Sequence, residues 1–127
     1  MDFNDTPDQA KFRAKCKEWL DSNAELKDAG KRINVESNLE ELIAKAKVWQ
    51  KKKYDAGWAM LHWPEEYGGT GWSVTQKHIF QNELADANTP TLVPFGVSMC
   101  GPVIYTFGTQ EQKDRFLPGI INNDDWW

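Results

Sequence analysis

Leu92-Val93-Pro94-Phe95-Gly96-Val97-Ser98-Met99-Cys100-Gly101-Pro102-Val103-Ile104-Tyr105-Thr106-Phe107 carries no charged side chain. A helix that is apolar on every side is a central one, covered by more than one neighbour. Gly101-Pro102 falls inside the run and is expected to weaken or kink it, because proline lacks the backbone donor and crowds the preceding turn. Gly108 closes it.

The segments around this run announce helices of their own. Four starts show a Ser or Thr followed three residues later by Gln or Glu, the reciprocal capping box. They are Thr6-Pro7-Asp8-Gln9, Ser37-Asn38-Leu39-Glu40, Ser73-Val74-Thr75-Gln76 and Thr109-Gln110-Glu111-Gln112. After the first, Phe12, Cys16, Trp19 and Leu20 recur at helical spacing and predict a helix over about 7–21. After the second, Leu39, Leu42, Ile43, Ala46 and Trp49 form one apolar stripe opposite Lys45, Lys51 and Lys52, and Gly57 is placed for a left-handed stop. The third opens a helix with Ile79, Phe80, Leu84 and Ala87 inward. The fourth turns Phe116 and Leu117 inward until Pro118-Gly119 breaks it. Residues 22–36 read as a polar connection. No alternating pattern of useful length marks a strand, so the expectation is an all-α domain spanning residues 1–127, an up-and-down bundle of five to six helices.

Composition narrows the function. The 127 residues include 7 Trp, 6 Phe and only 2 Cys, with a net charge of −4. An acidic chain of this kind lacks the phosphate-neutralising surface of a nucleic-acid binder. Two cysteines encode no disulfide framework, which fits a reducing, cytoplasmic setting. No run reaches the length of a membrane span, and the first twelve residues lack a secretory pattern. Twelve of the 15 Lys and Arg lie in residues 1–53, whereas five of the six Pro and seven of the nine Gly lie between 64 and 119. The first part therefore reads as solvated helices and the second as a tightly turned, packed region.

Each feature that suggests chemistry also has a structural reading. Gly68-Gly69-Thr70-Gly71-Trp72-Ser73 lacks the spacing and the lysine of a phosphate loop and reads as a turn. His62 and His78 have no partners at metal-ligand spacing; His62 near Glu65 and Glu66 is an acid–base pair or a plain surface histidine. Cys100 lies in apolar surroundings without a charge to activate it. Lys51-Lys52-Lys53 reads as one solvated helical turn. Trp49, Trp58, Trp63 and Trp72 fall where helices meet loops and are expected to anchor packing. No catalytic, cofactor-binding or metal-binding residue emerges.

Residues Gly57-Trp58-Ala59-Met60-Leu61-His62-Trp63-Pro64-Glu65-Glu66-Tyr67-Gly68-Gly69-Thr70-Gly71 closely resemble a signature of the acyl-CoA dehydrogenase superfamily. Phe107-Gly108-Thr109-Gln110-Glu111-Gln112-Lys113 with Phe116-Leu117-Pro118-Gly119-Ile120 resembles a second, and Glu83-Leu84-Ala85 a third. The resemblance covers about residues 7–127 and implies the N-terminal helical domain alone. The family's β-domain, its flavin-holding Thr/Ser-Glu-Pro segment and its C-terminal helical domain with the glutamate base match nothing in these residues. For the whole enzyme it implies α,β-dehydrogenation of an acyl-CoA: a glutamate takes the α-proton, FAD the β-hydride, and an electron-transfer flavoprotein the electrons. This domain's share is one wall of the acyl pocket, with Phe95, Gly96, Met99, Cys100 and Val103 on or near the lining. An apolar tail needs such an apolar cleft. A homo-oligomer is expected, and the domain alone is expected to hold no FAD and to be inactive. The rival readings are an autonomous helical interaction domain, or the same domain from an acyl-CoA oxidase or flavin monooxygenase.

Overall fold

A computed structural model describes residues 4–24, 39–87, 89–90 and 94–127. The described residues are all-α, with five α-helices and no strand; Met60 and Gly69 form an isolated bridge. The helices are α1 (Pro7–Asn23), α2 (Leu39–Asp55), α3 (Val74–Asp86), α4 (Gly101–Phe107) and α5 (Gln110–Asn122), with a 3₁₀ turn at Glu65–Tyr67 and a π-helical segment at Phe95–Cys100. They fall into two compact units, one holding α1 and α3, the other α2, α4 and α5.

Three of the expected capping boxes are formed. Thr6, Ser73 and Thr109 each accept from the backbone N–H three residues on, and Gln9, Gln76 and Gln112 each accept from the cap's own N–H. Ser37 lies outside the described residues, as does most of the 22–36 connection; α2 is described from Leu39.

In the first unit, Cys16 and Leu20 of α1 and Ile79 and Phe80 of α3 are the buried side chains. Trp72 stands between Phe12 and Phe80, edge-on to both, at 5.1 and 5.4 Å between ring centres. Arg13 ties α1 to α3: its guanidinium donates to Glu83 at 2.8 Å and forks onto Asp5 at 2.6 and 3.0 Å.

The second unit closes around Ala59, Met60, Trp63, Val97, Leu117, Ile120 and Ile121. Helix α2 ends as expected at Gly57, whose φ of 77° lets Gly57 N–H reach Tyr54 and Trp58 N–H reach Lys53. Two expectations fail here. Pro118 does not break its helix: α5 runs through it to Asn122. An internal proline costs about 3 kcal/mol, but stopping there would unseat Ile120 and Ile121, each worth about 1.5–3 kcal/mol buried. The buried Gln50 amide also donates to the carbonyls of Ile120 (3.0 Å) and Ile121 (3.2 Å), which a helix end leaves unpaired. Nor is Lys51-Lys52-Lys53 wholly solvated. Lys53 is 4% exposed, its amine 5.7 Å from the centre of the Trp49 ring, and burial pushes its pKa down to about 8.

Candidate functional site

The glycine cluster is closed by the chain itself. A Cβ at Gly69 would overlap the Trp63 carbonyl, and one at Gly71 would lie 2.8 Å from a Glu65 carboxylate oxygen. Gly69 N–H donates to Pro64 and Thr70 N–H to Met60, each at 3.0 Å. The cluster folds the 57–71 loop back on itself and pins Trp63 in the core, 4% exposed.

From there Trp63 reaches the apolar segment. Its indole N–H donates to the Val97 carbonyl at 2.8 Å, and its six-membered ring lies where a Cβ on Gly101 would be. Tyr105 meets the same indole edge-on at 5.7 Å. The expected disturbance at Gly101-Pro102 is present as a change of winding: residues 95–100 are π-helical, with Gly101 N–H bonded to Gly96, and α-winding resumes at Gly101.

Among the described residues the segment is not covered on every side. Val97 and Gly101 are buried, whereas Phe95, Met99 and Val103 are 57, 58 and 59% exposed and Phe107 is 82% exposed. Single exposed apolar residues are ordinary; four on one short stretch are not. The five sequence-predicted lining residues therefore divide. Phe95, Met99 and Val103 stand on the open side. Cys100 is half-buried against the core, and Gly96 faces α5 and the chain's last residue: a Cβ there would come within 3.3 Å of Trp127 and 3.4 Å of Ile120. Phe107, the most exposed of the four, was not among the predicted five; its apolar side chain at the helix end was the available signal.

The other sequence candidates stay apart. His62 and His78 are both exposed. Cys16 is fully buried, its thiol pushed up to about 11 mainly by that burial, and is unreactive. No group of three or more metal-ligating side chains occurs among the described residues, and none of their helices is long and apolar enough to cross a membrane. An open cleft of about 630 Å³ beside α5 is lined by Tyr54, Tyr67, Lys113, Leu117 and Ile121 among others, and by none of the predicted five.

The family description "Acyl-CoA dehydrogenase, N-terminal domain" matches residues 6–124. The chain belongs to the acyl-CoA dehydrogenase family. Acyl-CoA dehydrogenase IpdE1 of Mycolicibacterium smegmatis is 37% identical over 122 residues, covering 91% of this chain and 30% of that protein. Its namesake in Mycobacterium tuberculosis is 34% identical over 122 residues, covering 94% and 32%. Among solved structures, the ChsE4–ChsE5 complex from Mycobacterium tuberculosis matches with a TM-score of 0.65 at 28% identity, over 98% of this chain and 30% of that one. The chain thus spans about a third of the length of these proteins. The family implies FAD, whose pyrophosphate needs open backbone donors or cations. The glycine turn, packed by its own chain and flanked by Glu65, does not fit it.

Proposed function

We propose that this chain is the N-terminal helical domain of an FAD-dependent acyl-CoA dehydrogenase and supplies one wall of its acyl pocket. The exposed apolar face of Phe95, Met99 and Val103 carries this reading: it offers an apolar surface on a helix whose other side is anchored in a core. Phe95, Met99 and Val103 meet the acyl tail. Gly96 and Cys100 act from beneath: the missing Cβ of Gly96 lets the segment sit close to Ile120 and Trp127, and Cys100 packs against the core.

The domain excludes water from the tail and limits its reach; it contributes no base and no hydride acceptor. Proton and hydride removal belong to groups that other domains of the family provide, so this chain alone binds no flavin tightly and turns over no acyl-CoA. Dehydrogenase is preferred to oxidase or monooxygenase because the relatives named above are dehydrogenases. Electrons then leave to an electron-transfer flavoprotein, the assembled protein is a homo-oligomer, and its setting is cytoplasmic.

The test is the acyl-length profile of the flavin-loaded enzyme carrying Met99→Trp or Met99→Ala. Met99 is more than half exposed, so neither change disturbs the core. The larger side chain should shift the kcat/KM optimum to shorter acyl groups and the smaller one to longer groups. Identical profiles would reject the wall.

A further inference from the structure

Pro102 is at odds with the helix that contains it, and Trp63 resolves the conflict. In π-winding each backbone N–H reaches five residues back, and Gly101 N–H accordingly bonds the Gly96 carbonyl. The next carbonyl, that of Val97, is due to residue 102, and proline has no N–H to give. A buried carbonyl without a partner is costly. The indole N–H of Trp63 takes it, at 2.8 Å, from the 57–71 loop far away in sequence. Ordinary α-winding is obstructed too, since it would set the Pro102 ring against the Ser98 carbonyl four residues back.

We infer that Trp63 and Pro102 together form a register lock, in which the proline obstructs α-winding, the indole caps the carbonyl that π-winding leaves open, and the pair fixes where Phe95 and Met99 stand on the acyl wall. Trp63 is then a positioning residue for acyl selection, a role that rests on the wall reading above. A shift from π- to α-winding rotates and raises side chains N-terminal to Pro102 relative to Val103, so the wall changes shape although its composition does not. Gly101 completes the device, because only a residue without Cβ lets the indole lie flat enough to reach Val97.

Two substitutions separate the lock from simple packing. Trp63→Phe keeps an aromatic ring but removes the donor; Pro102→Ala removes the obstruction and supplies a backbone N–H. In urea unfolding of the 127-residue chain, Trp63→Phe should raise the unfolding equilibrium constant about tenfold or more, and by at least about threefold more than the same change does in a Pro102→Ala background, where the packing loss common to both remains. If Trp63→Phe does not fold, the double variant still should. An equal penalty in both backgrounds, or a double variant that also fails to fold, overturns the lock. In the flavin-loaded enzyme the double variant should be folded yet change the ratio of kcat/KM between short and long acyl groups, because its segment is free to adopt α-winding. Lost coupling between winding and selectivity, with an unaltered ratio while Met99→Trp does alter it, overturns the positioning role and leaves the wall standing. If Met99→Trp alters nothing either, the wall itself is rejected.

Discussion

The α1–α3 pair and the unit built on α2, α4 and α5 hold their helices by different means. In the pair, an aliphatic seam of Cys16, Leu20 and Ile79, an aromatic file of Phe12, Trp72 and Phe80, and the Arg13 fork suffice. Each helix is regular and each start is capped by its sequence neighbours. In the other unit the helices are irregular: one follows a π segment before Pro102, another runs through Pro118, and a loop indole and a buried glutamine supply the missing hydrogen-bond partners. The regular pair is specified largely by local caps and by the packing of its two helices. The irregular unit is specified by long-range bonds, and it is also the one that leaves an apolar face open.

That contrast predicts a ranking. Gly69→Ala should have the largest effect, because its Cβ overlaps backbone rather than a movable side chain; loss of more than about 4 kcal/mol is expected. Gly57→Ala, where a Cβ meets nothing and only the positive φ resists, should cost about 1 kcal/mol. Equal costs, measured by urea unfolding, would remove the steric account of the 57–71 loop. In the regular pair, Phe80→Ala should cost about 3–5 kcal/mol, with the secondary structure of the second unit retained.

Lys53 makes the stability of the second unit depend on pH. Its amine titrates near pH 8 when folded, against an ordinary value of 10.5, because burial disfavours the charged form. Between those values the unfolded chain holds a proton that the folded chain lacks. Stability should therefore rise with pH across that window, by at most about 1.4 kcal/mol per unit. Lys53→Met should be more stable at pH 7 and should lose that part of the slope; parallel curves for the two proteins would show that the amine is solvated. The caps share the small end of the ranking with Gly57. Thr6→Ala and Thr109→Ala should each cost about 1 kcal/mol, because the bonds they remove are local in both units.

Much of this was legible in the sequence, and what was not shares one cause. Caps and helical periodicity are short-range, so Thr6, Ser73, Thr109 and Gly57 could be read from neighbours alone. The family followed from the Gly57–Gly71 and Phe107–Ile120 stretches, whose order and spacing are specific. The fate of Pro118 was not legible, because burial of Ile120 and Ile121 and the reach of Gln50 decide it from another helix. Lys53 was read by charge alone, whereas its place on the same helix face as Ala46, Trp49 and Gln50 decides its burial. The open side of residues 95–107 was hidden for the opposite reason: composition alone implies cover all round, and only the fold shows which face the described residues leave uncovered.

Whether this uncovered face touches the acyl group can be read by photocrosslinking. The flavin-loaded enzyme containing this domain would be irradiated with an acyl-CoA bearing a diazirine near the end of its acyl chain, and the labelled peptides mapped by mass spectrometry. An acyl wall at Phe95, Met99 and Val103 should be labelled on the segment that carries them, and unlabelled acyl-CoA should compete that labelling away. Competed labelling confined to other parts of the enzyme, with residues 94–107 untouched, would contradict it.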